Sequence, residues 1–259
     1  MSKPWGILIP EKYIEKIFPK SKRDYANYFI LHSILRRIST LITFYVLKNS
    51  IIKPNFVSYL QFFITFTISL SFINQGFVIG SGLLFFWVLL DNIDGELARL
   101  KNLQTDLGIA LERYNSDFMY SLCVPSLCFG LFKADKIDFD ILYLSFFSCV
   151  IFSILRHFIA RFPEERFKPK SFLVKLLACQ FKNMDKLRKK NKLGSFIFYI
   201  YRNIFNQVGL IEMIIFYGCV MYSLNKYDFL INIAIFYTYS YLIFDIIILS
   251  GLLIFIIKK

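Results

Sequence analysis

Two aspartates, Asp91 and Asp94, lie three residues apart at the end of a long apolar run and are the residues best suited to chemistry. On a helix that continues the run they share one face. Glu112 lies in the next apolar segment. Acids inside a membrane each cost about 2.5–3.5 kcal/mol, and clustered acids repel one another. A divalent cation relieves both penalties, because Mg²⁺ binds carboxylate oxygens and keeps positions open for phosphate. The spacing therefore predicts a metal site at the cytoplasmic side of a membrane; the alternative is a solvated charged face ending a core helix.

The composition favours a helical membrane protein. Hydrophobic residues make up 56% of the 259 residues, in runs of about 20, the length that spans a bilayer. The formal charge of +13 could indicate a nucleic-acid partner. The basic residues cluster between the apolar runs, however, so anionic lipid head groups are the better match and no nucleic-acid partner is expected. The five cysteines show no CxxC spacing and there are two histidines, so neither a disulfide framework nor a histidine-based metal site is indicated.

The apolar runs predict an all-α, polytopic membrane protein with six transmembrane helices and an N-terminal interfacial amphipathic helix. Residues 1–24 are expected to form a poorly ordered, basic cytoplasmic lead-in to one membrane domain, residues 25–259. Residues 25–49 are predicted to lie in the interface, because Arg36 and Arg37 interrupt the middle of the segment. The spans are predicted at about residues 54–74, 77–100, 106–132, 139–160, 205–224 and 229–257.

The distribution of basic residues predicts the orientation. They are concentrated at both termini, near residue 101 and in residues 161–193. The positive-inside rule then predicts that both termini are cytoplasmic. We expect an integral membrane protein, in the inner membrane of a bacterium, whose acids lie one to three helical turns from the cytoplasmic side.

A longer pattern continues from the two aspartates. Its residues are Asp91, Asp94, Gly95, Ala98, Arg99 and Gly108, and eight residues separate Arg99 from Gly108. This pattern resembles the signature DxxDGxxARx8GxxxDxxxD of the CDP-alcohol phosphatidyltransferase family. Asn55 and Ser58, which follow Pro54, are also similar to the start of that family's first span. The resemblance covers roughly residues 30–257.

The resemblance implies an activity and its partners. Members of the family transfer a phosphate-linked alcohol from a CDP-alcohol to a second alcohol and release CMP. They are typically homodimers that use Mg²⁺ or Mn²⁺, and their site opens to the cytoplasmic leaflet. A CDP-alcohol, foremost CDP-diacylglycerol, an acceptor alcohol and membrane lipids are therefore the implied partners. The implied nucleotide-binding residues are Asn55, Ser58, Gly95, Ala98, Arg99 and Gly108.

The chemistry of these residues is consistent with the implied site. Gly95 and Gly108 let a nucleotide approach the backbone, because no side chain intervenes. The guanidinium of Arg99 suits a phosphate. The alternatives are a cytoplasmic anchor at a helix end for Arg99 and ordinary helix packing for Gly108.

The second half of the signature departs from the family pattern. Glu112 stands at the third acidic position and Ser116 at the fourth, which the family uses as the base, and serine is no general base at neutral pH. On a regular helix the neighbouring Asp117 points about 100° away from Ser116. We favour a π-bulge that returns Asp117 to the site as base and metal ligand beside Asp91, Asp94 and Glu112. Otherwise Glu112 serves as both ligand and base, or the protein is catalytically weakened.

Several further residues and functions are left open by the sequence. Candidates for the acceptor pocket, or for positive-inside anchors, are Arg156, His157 and Arg161. Glu212 and Asp245 are acids inside predicted spans, and their role is open. A membrane prenyltransferase would need a second aspartate-rich motif, and a transporter would leave the spacing to Gly108 unexplained. A degenerate family member that acts as a binding or structural membrane protein is the main alternative to the enzyme.

Overall fold

A computed structural model describes residues 9–17, 30–161, 217–218, 220–221, 224 and 227–257. These residues form helices and turns and contain no strand, so the all-α class is confirmed for this part of the chain. The helices are α1 (Glu11–Ile17), α2 (Ile30–Ile42), α3 (Pro54–Ile73), α4 (Phe77–Lys101), α5 (Asp106–Lys133), α6 (Phe139–Arg161) and α7 (Tyr227–Ile257). A π-helical segment, Thr43–Leu47, continues from α2.

The ends of the central helices lie close to the predicted ones because turn residues terminate them. Gln75, Asn102 and Asp135 follow α3, α4 and α5 and have φ angles of 63°, 55° and 54°. This left-handed backbone ends a helix and lets following amides bond back to its last carbonyls. The amide of Leu103, for example, donates to the carbonyl of Ala98 at 2.9 Å.

Two helices of the described residues, α3 and α4, are long and apolar enough to cross a membrane. Shorter apolar stretches, Phe139–Ile151 and Asp228–Ile243, lie on α6 and α7. The six-span topology is therefore not confirmed. The predicted fifth span, residues 205–224, falls mostly outside the described residues.

The chain divides into two compact units. The first contains residues up to Met119 except Phe72–Gln75, and the second contains Phe72–Gln75 and the residues from Tyr120 onward. In the second unit α7 packs against α6, and Cys128 of α5 lies 3.8 Å from the hydroxyl of Thr238. The sequence signature lies in the first unit.

Helix α4 is the central helix of the first unit. Its apolar run buries Leu84, Trp87 and Leu97, each at most 2% exposed. The indole Nε1 of Trp87 donates to Thr65 Oγ1 of α3 at 3.0 Å, which satisfies the one polar atom of a buried side chain. This packing fixes the helix that carries the two aspartates.

The N-terminal segments also pack against α4. Helix α1 forms within the predicted lead-in, where we expected a poorly ordered segment, because the fully buried Ile17 packs on Leu100. Helix α2 and its π-helical continuation occupy the predicted amphipathic segment from residue 30 onward. Residues 25–29 lie outside the described part, and the position of α2 in the membrane interface stays a prediction.

Candidate active site

The two aspartates of α4 face polar side chains of α3. Ser58 Oγ donates a hydrogen bond of 2.5 Å to Asp94 Oδ2, and Asp94 is 8% exposed. Gln61 Nε2 makes a long hydrogen bond of 3.5 Å to Asp91 Oδ1 and lies 3.4 Å from the carbonyl of Trp87. Because Ser58 and Gln61 are three residues apart on α3, one face of that helix contacts both acids.

Helix α5 meets the same face of α3. Asn115 is 2% exposed, and its Nδ2 donates to the carbonyl oxygen of Ser58 at 2.7 Å. A Cβ atom on Gly108 would lie 3.4 Å from Asn55 Oδ1 and 3.3 Å from Thr105 Oγ1. The missing side chain at Gly108 therefore lets α5 approach the first turn of α3, and three helices converge on one site.

Glu112 is the acid of α5 that interacts with this site through its charge. Its side chain is exposed, and its charge acts on both Asp91 and Asp94. Carboxylate oxygens on two helices are the type of donor that Mg²⁺ and Mn²⁺ bind. Among the described residues, however, no three acidic, histidine or cysteine side chains come together as a metal-holding group. Metal binding by these acids therefore stays a prediction.

The predicted π-bulge in α5 is absent. Residues 106–133 form a continuous α-helix, and Ser116 Oγ donates to the Glu112 carbonyl four residues earlier at 3.0 Å, a contact that serine often makes inside a helix. The bulge prediction is wrong, because residues 106–133 are α-helical throughout, with no π-helical turn between Glu112 and Asp117. Asp117 lies nine residues after Gly108, so it points about 180° away from that glycine. Its role as base or ligand stays a prediction that this register does not support.

Arg99 and Gly95 are close partners on α4. Arg99 Nε donates to the Ile17 carbonyl at the end of α1 at 2.6 Å. Its Nη1 lies 3.2 Å from the position that a Cβ on Gly95 would take. The space above Gly95 therefore holds the arginine side chain, and a nucleotide would reach this backbone only after the guanidinium moves. The Ala98 carbonyl accepts the bond from Leu103 that ends α4.

Two polar residues of the site, and a third on another face of α4, were not predicted from the sequence. Gln61 and Asn115 are single amides within apolar segments, and each follows a predicted site residue, Ser58 or Glu112, by three positions. This spacing was the available signal, since it places them on the same helical face. Glu96 occupies a variable position of the signature, yet it is 1% exposed.

The predicted acceptor residues belong to the second unit. Arg156, His157 and Arg161 lie on α6, where the backbone is described and their side chains are not. Glu212 lies outside the described residues, as does the side chain of Asp245 on α7. Their proposed roles are therefore untested.

Comparison with known protein families supports the signature that the first unit contains. A sequence model of the CDP-alcohol phosphatidyltransferase family matches residues 51–224, more than half of the chain. The matched range includes α3 to α6 and the three-helix site. No curated protein matches the chain. The family consists of integral membrane transferases, in keeping with the two apolar helices that are long enough to cross a membrane. By its signature, and by the range that the family model matches, the chain belongs to the CDP-alcohol phosphatidyltransferase family.

Proposed function

We propose that the protein transfers a substituted phosphate group from a CDP-alcohol, foremost CDP-diacylglycerol, to an acceptor alcohol and releases CMP, in phospholipid or surface-lipid and glycan synthesis. The observation that carries this proposal is the convergence of the signature on three helices. Ser58 bonds to Asp94, and Asn55 lies against Gly108. Residues that are far apart in the sequence are thereby held around one pair of acids.

The proposal assigns donor binding to the acids of α4. Asp91 and Asp94 would hold Mg²⁺ or Mn²⁺ together with Glu112, with Asp117 as a fourth ligand only if α5 distorts. A bound divalent ion neutralises charge that develops on the leaving phosphate. Ser58 and Gln61 orient the two aspartates from α3. Because the Asp94 carboxylate is buried and hydrogen-bonded, its direction is set before the donor arrives.

The proposal assigns the proton transfer to Glu112. Its carboxylate takes the proton of the acceptor hydroxyl, and the acceptor oxygen forms a bond to the phosphorus that carries the donor alcohol. The bond from that phosphorus to the bridging oxygen breaks, and CMP leaves with the bonding electron pair. Glu112 is exposed to an incoming alcohol and its charge reaches both aspartates. Asp117 points away from this face in the regular helix.

The setting of the reaction is also part of the proposal. We propose six membrane spans with both termini in the cytoplasm, a homodimer, and the inner membrane of a bacterium as the location. The clustering of basic residues between apolar runs supports the orientation. Arg156, His157 and Arg161 are proposed to bind the acceptor from the cytoplasmic side.

One observation favours a second candidate function, a degenerate family member that binds without turnover. The fourth acidic position holds Ser116, whose hydroxyl is bonded to a carbonyl of its own helix. A protein of this kind would keep the nucleotide site of α4 and lose the acceptor chemistry of α5.

The test begins with nucleotide binding by the detergent-solubilised full chain. Thermal stability is measured with CDP or CMP, with and without Mg²⁺ or Mn²⁺, for the wild type and Asp94→Asn. A ligand at 100 times its dissociation constant stabilises a fold by about 2.7 kcal/mol. We expect a metal-dependent shift in the wild type that Asp94→Asn loses, while the asparagine still accepts the hydrogen bond from Ser58.

A matched control and an activity assay complete the experiment. Asp140→Asn removes the same charge from the exposed first turn of α6 and should keep the shift. CMP release from CDP-diacylglycerol with a panel of alcohols then separates the two candidates. A shift together with CMP release supports the enzyme, and a shift without release under any acceptor supports the degenerate member. No shift in the wild type with either metal overturns both.

A further inference from the structure

Glu96 is a buried acid on a face of α4 that does not carry the aspartates. Its Oε1 accepts hydrogen bonds from Ser39 Oγ at 3.0 Å and from Thr40 Oγ1 at 3.1 Å, both on α2. The two hydroxyls also lie 3.0 and 2.7 Å from the carbonyl oxygen of Arg36. Each hydroxyl has one proton, so that proton is shared between the backbone of α2 and Glu96.

A second contact joins the same two faces. Arg36 Nε makes a long hydrogen bond of 3.5 Å to Asn92 Oδ1. Asn92 and Glu96 are four residues apart, so they form one stripe on α4. Glu96 follows Asp91 by five residues, which places it about 140° around the helix from that acid. Helix α4 is therefore held by α3 on the face of the acids and by α2 on this second face.

Burying the carboxylate of Glu96 costs free energy, because the group loses its hydration. The side chain is 1% exposed, and its Oε2 has no hydrogen-bond partner in the described part of the chain. The charges of Arg36 and Arg99 act on the carboxylate. A buried charged group is weak evidence for stability, and replacing such groups by apolar residues is often neutral or stabilising. Stability alone therefore does not account for a glutamate at this position.

The partners of Glu96 lie outside the range that the family model matches. Ser39 and Thr40 precede residue 51, where the match begins, and both are fully buried. The contact therefore involves a region of this chain that precedes the matched range. It joins that region to the helix that carries Asp91 and Asp94.

We propose that Glu96 is a positioning residue for the transfer reaction. By accepting hydrogen bonds from Ser39 and Thr40 it fixes the rotation of α4 about its own axis, and so the direction in which Asp91 and Asp94 point. This inference rests on the proposed function of the two aspartates. Glu96 itself touches neither nucleotide nor acceptor in this proposal.

The first test measures CDP affinity in the presence of Mg²⁺, below the unfolding temperature, for the full-length protein in detergent. Mutation of the residues that orient metal ligands typically costs about 10- to 100-fold in metal affinity or activity, and we take the lower end for a residue that acts through its helix. We expect the double variant Ser39→Ala/Thr40→Val, and separately Glu96→Leu, to weaken CDP binding by about tenfold or more. Glu96→Gln should stay close to the wild type, because the amide oxygen still accepts both hydrogen bonds.

The matched control is Ser81→Ala, which removes a fully buried hydroxyl of α4 that has no partner among the described residues. It should leave CDP affinity unchanged. A hydroxyl double variant with a lower melting temperature but wild-type CDP affinity would show a merely structural role and overturn the inference. Glu96→Gln as weak as Glu96→Leu would also overturn it.

A second readout does not depend on the nucleotide. The pair Ser58→Cys and Asp94→Cys replaces two side chains that contact each other, so oxidation should join α3 to α4. We expect the cross-link yield to fall when Ser39→Ala/Thr40→Val is added, since α4 then turns away from α3. An unchanged yield contradicts the inference. Absence of CDP binding by the wild type contradicts the proposed function instead, so the two failures are distinguishable.

Discussion

The two halves of the signature are held very differently. On α4, Asp94 is 8% exposed and bonded to Ser58, and Asp91 is in reach of Gln61. On α5, Glu112 is exposed and Ser116 bonds to a carbonyl of its own helix. The half that we propose binds the donor is thus held by side chains of a neighbouring helix, whereas the half that we propose acts on the acceptor has one exposed glutamate.

Under the proposed function, this difference separates donor binding on α4 from turnover on α5. Groups that are oriented before the substrate arrives require little reorganisation free energy during the reaction, because folding has already oriented them. The acids of α4 meet this condition through their contacts with α3. In the proposed reaction, the exposed Glu112 can adjust to the acceptor, and its side chain is one methylene longer than that of aspartate.

The largest expected effect comes from Glu112→Gln. A positioned general base contributes about 10²–10⁴-fold to a rate, so we expect CMP release to fall by about that factor. Asp117→Asn is the comparison variant and should have a much smaller effect, because Asp117 points away from Gly108 in the regular helix. The rate of CMP release with saturating donor is the measurement. A greater loss in Asp117→Asn would return the base to Asp117 and require α5 to distort during the reaction.

A smaller effect is expected from Asn115→Leu, which removes a hydrogen bond between α5 and α3. Side-chain hydrogen bonds within membrane proteins contribute about 0.6 kcal/mol on average and up to about 1.7, so we expect destabilisation in this range. Denaturant unfolding in detergent measures it. Ser69→Ala is the control, since it removes a buried α3 hydroxyl with no partner among the described residues. Equal effects of the two variants would mean that the Asn115 bond does not stabilise the packing of α5 on α3.

The smallest effect is expected at Gly108, with Gly82 as its matched position. Alanine is favoured over glycine inside a helix by about 0.8–1 kcal/mol. Gly82→Ala should gain stability, since a Cβ there has no atom within 4 Å. Gly108→Ala should gain less, because Gly108 lies in the first turn of α5 and its Cβ would come 3.3 Å from Thr105 Oγ1 and 3.4 Å from Asn55 Oδ1. The difference between the two melting temperatures is the measurement, and equal gains would show that α3 and α5 do not need this close approach.

Much of the helical framework followed from the sequence. The ends of α3, α4 and α5 differ from the predicted ends by one residue, because apolar run length and polar turn residues are local properties. The common face of Asp91 and Asp94 also followed, since three-residue spacing fixes it on any α-helix. The spacing of the signature likewise predicted the family before any contact was known.

Only the tertiary structure decided which side chains support those acids. The partners of Asp94, Asn115 and Glu96 lie 36, 57 and 56–57 residues away along the chain, and no local pattern specifies such pairs. The packing of α1 on the end of α4 and the regular register of α5 at Ser116 were decided in the same way. A sequence determines these features only through the packing of whole helices, in which buried polar groups must find partners that local periodicity does not name.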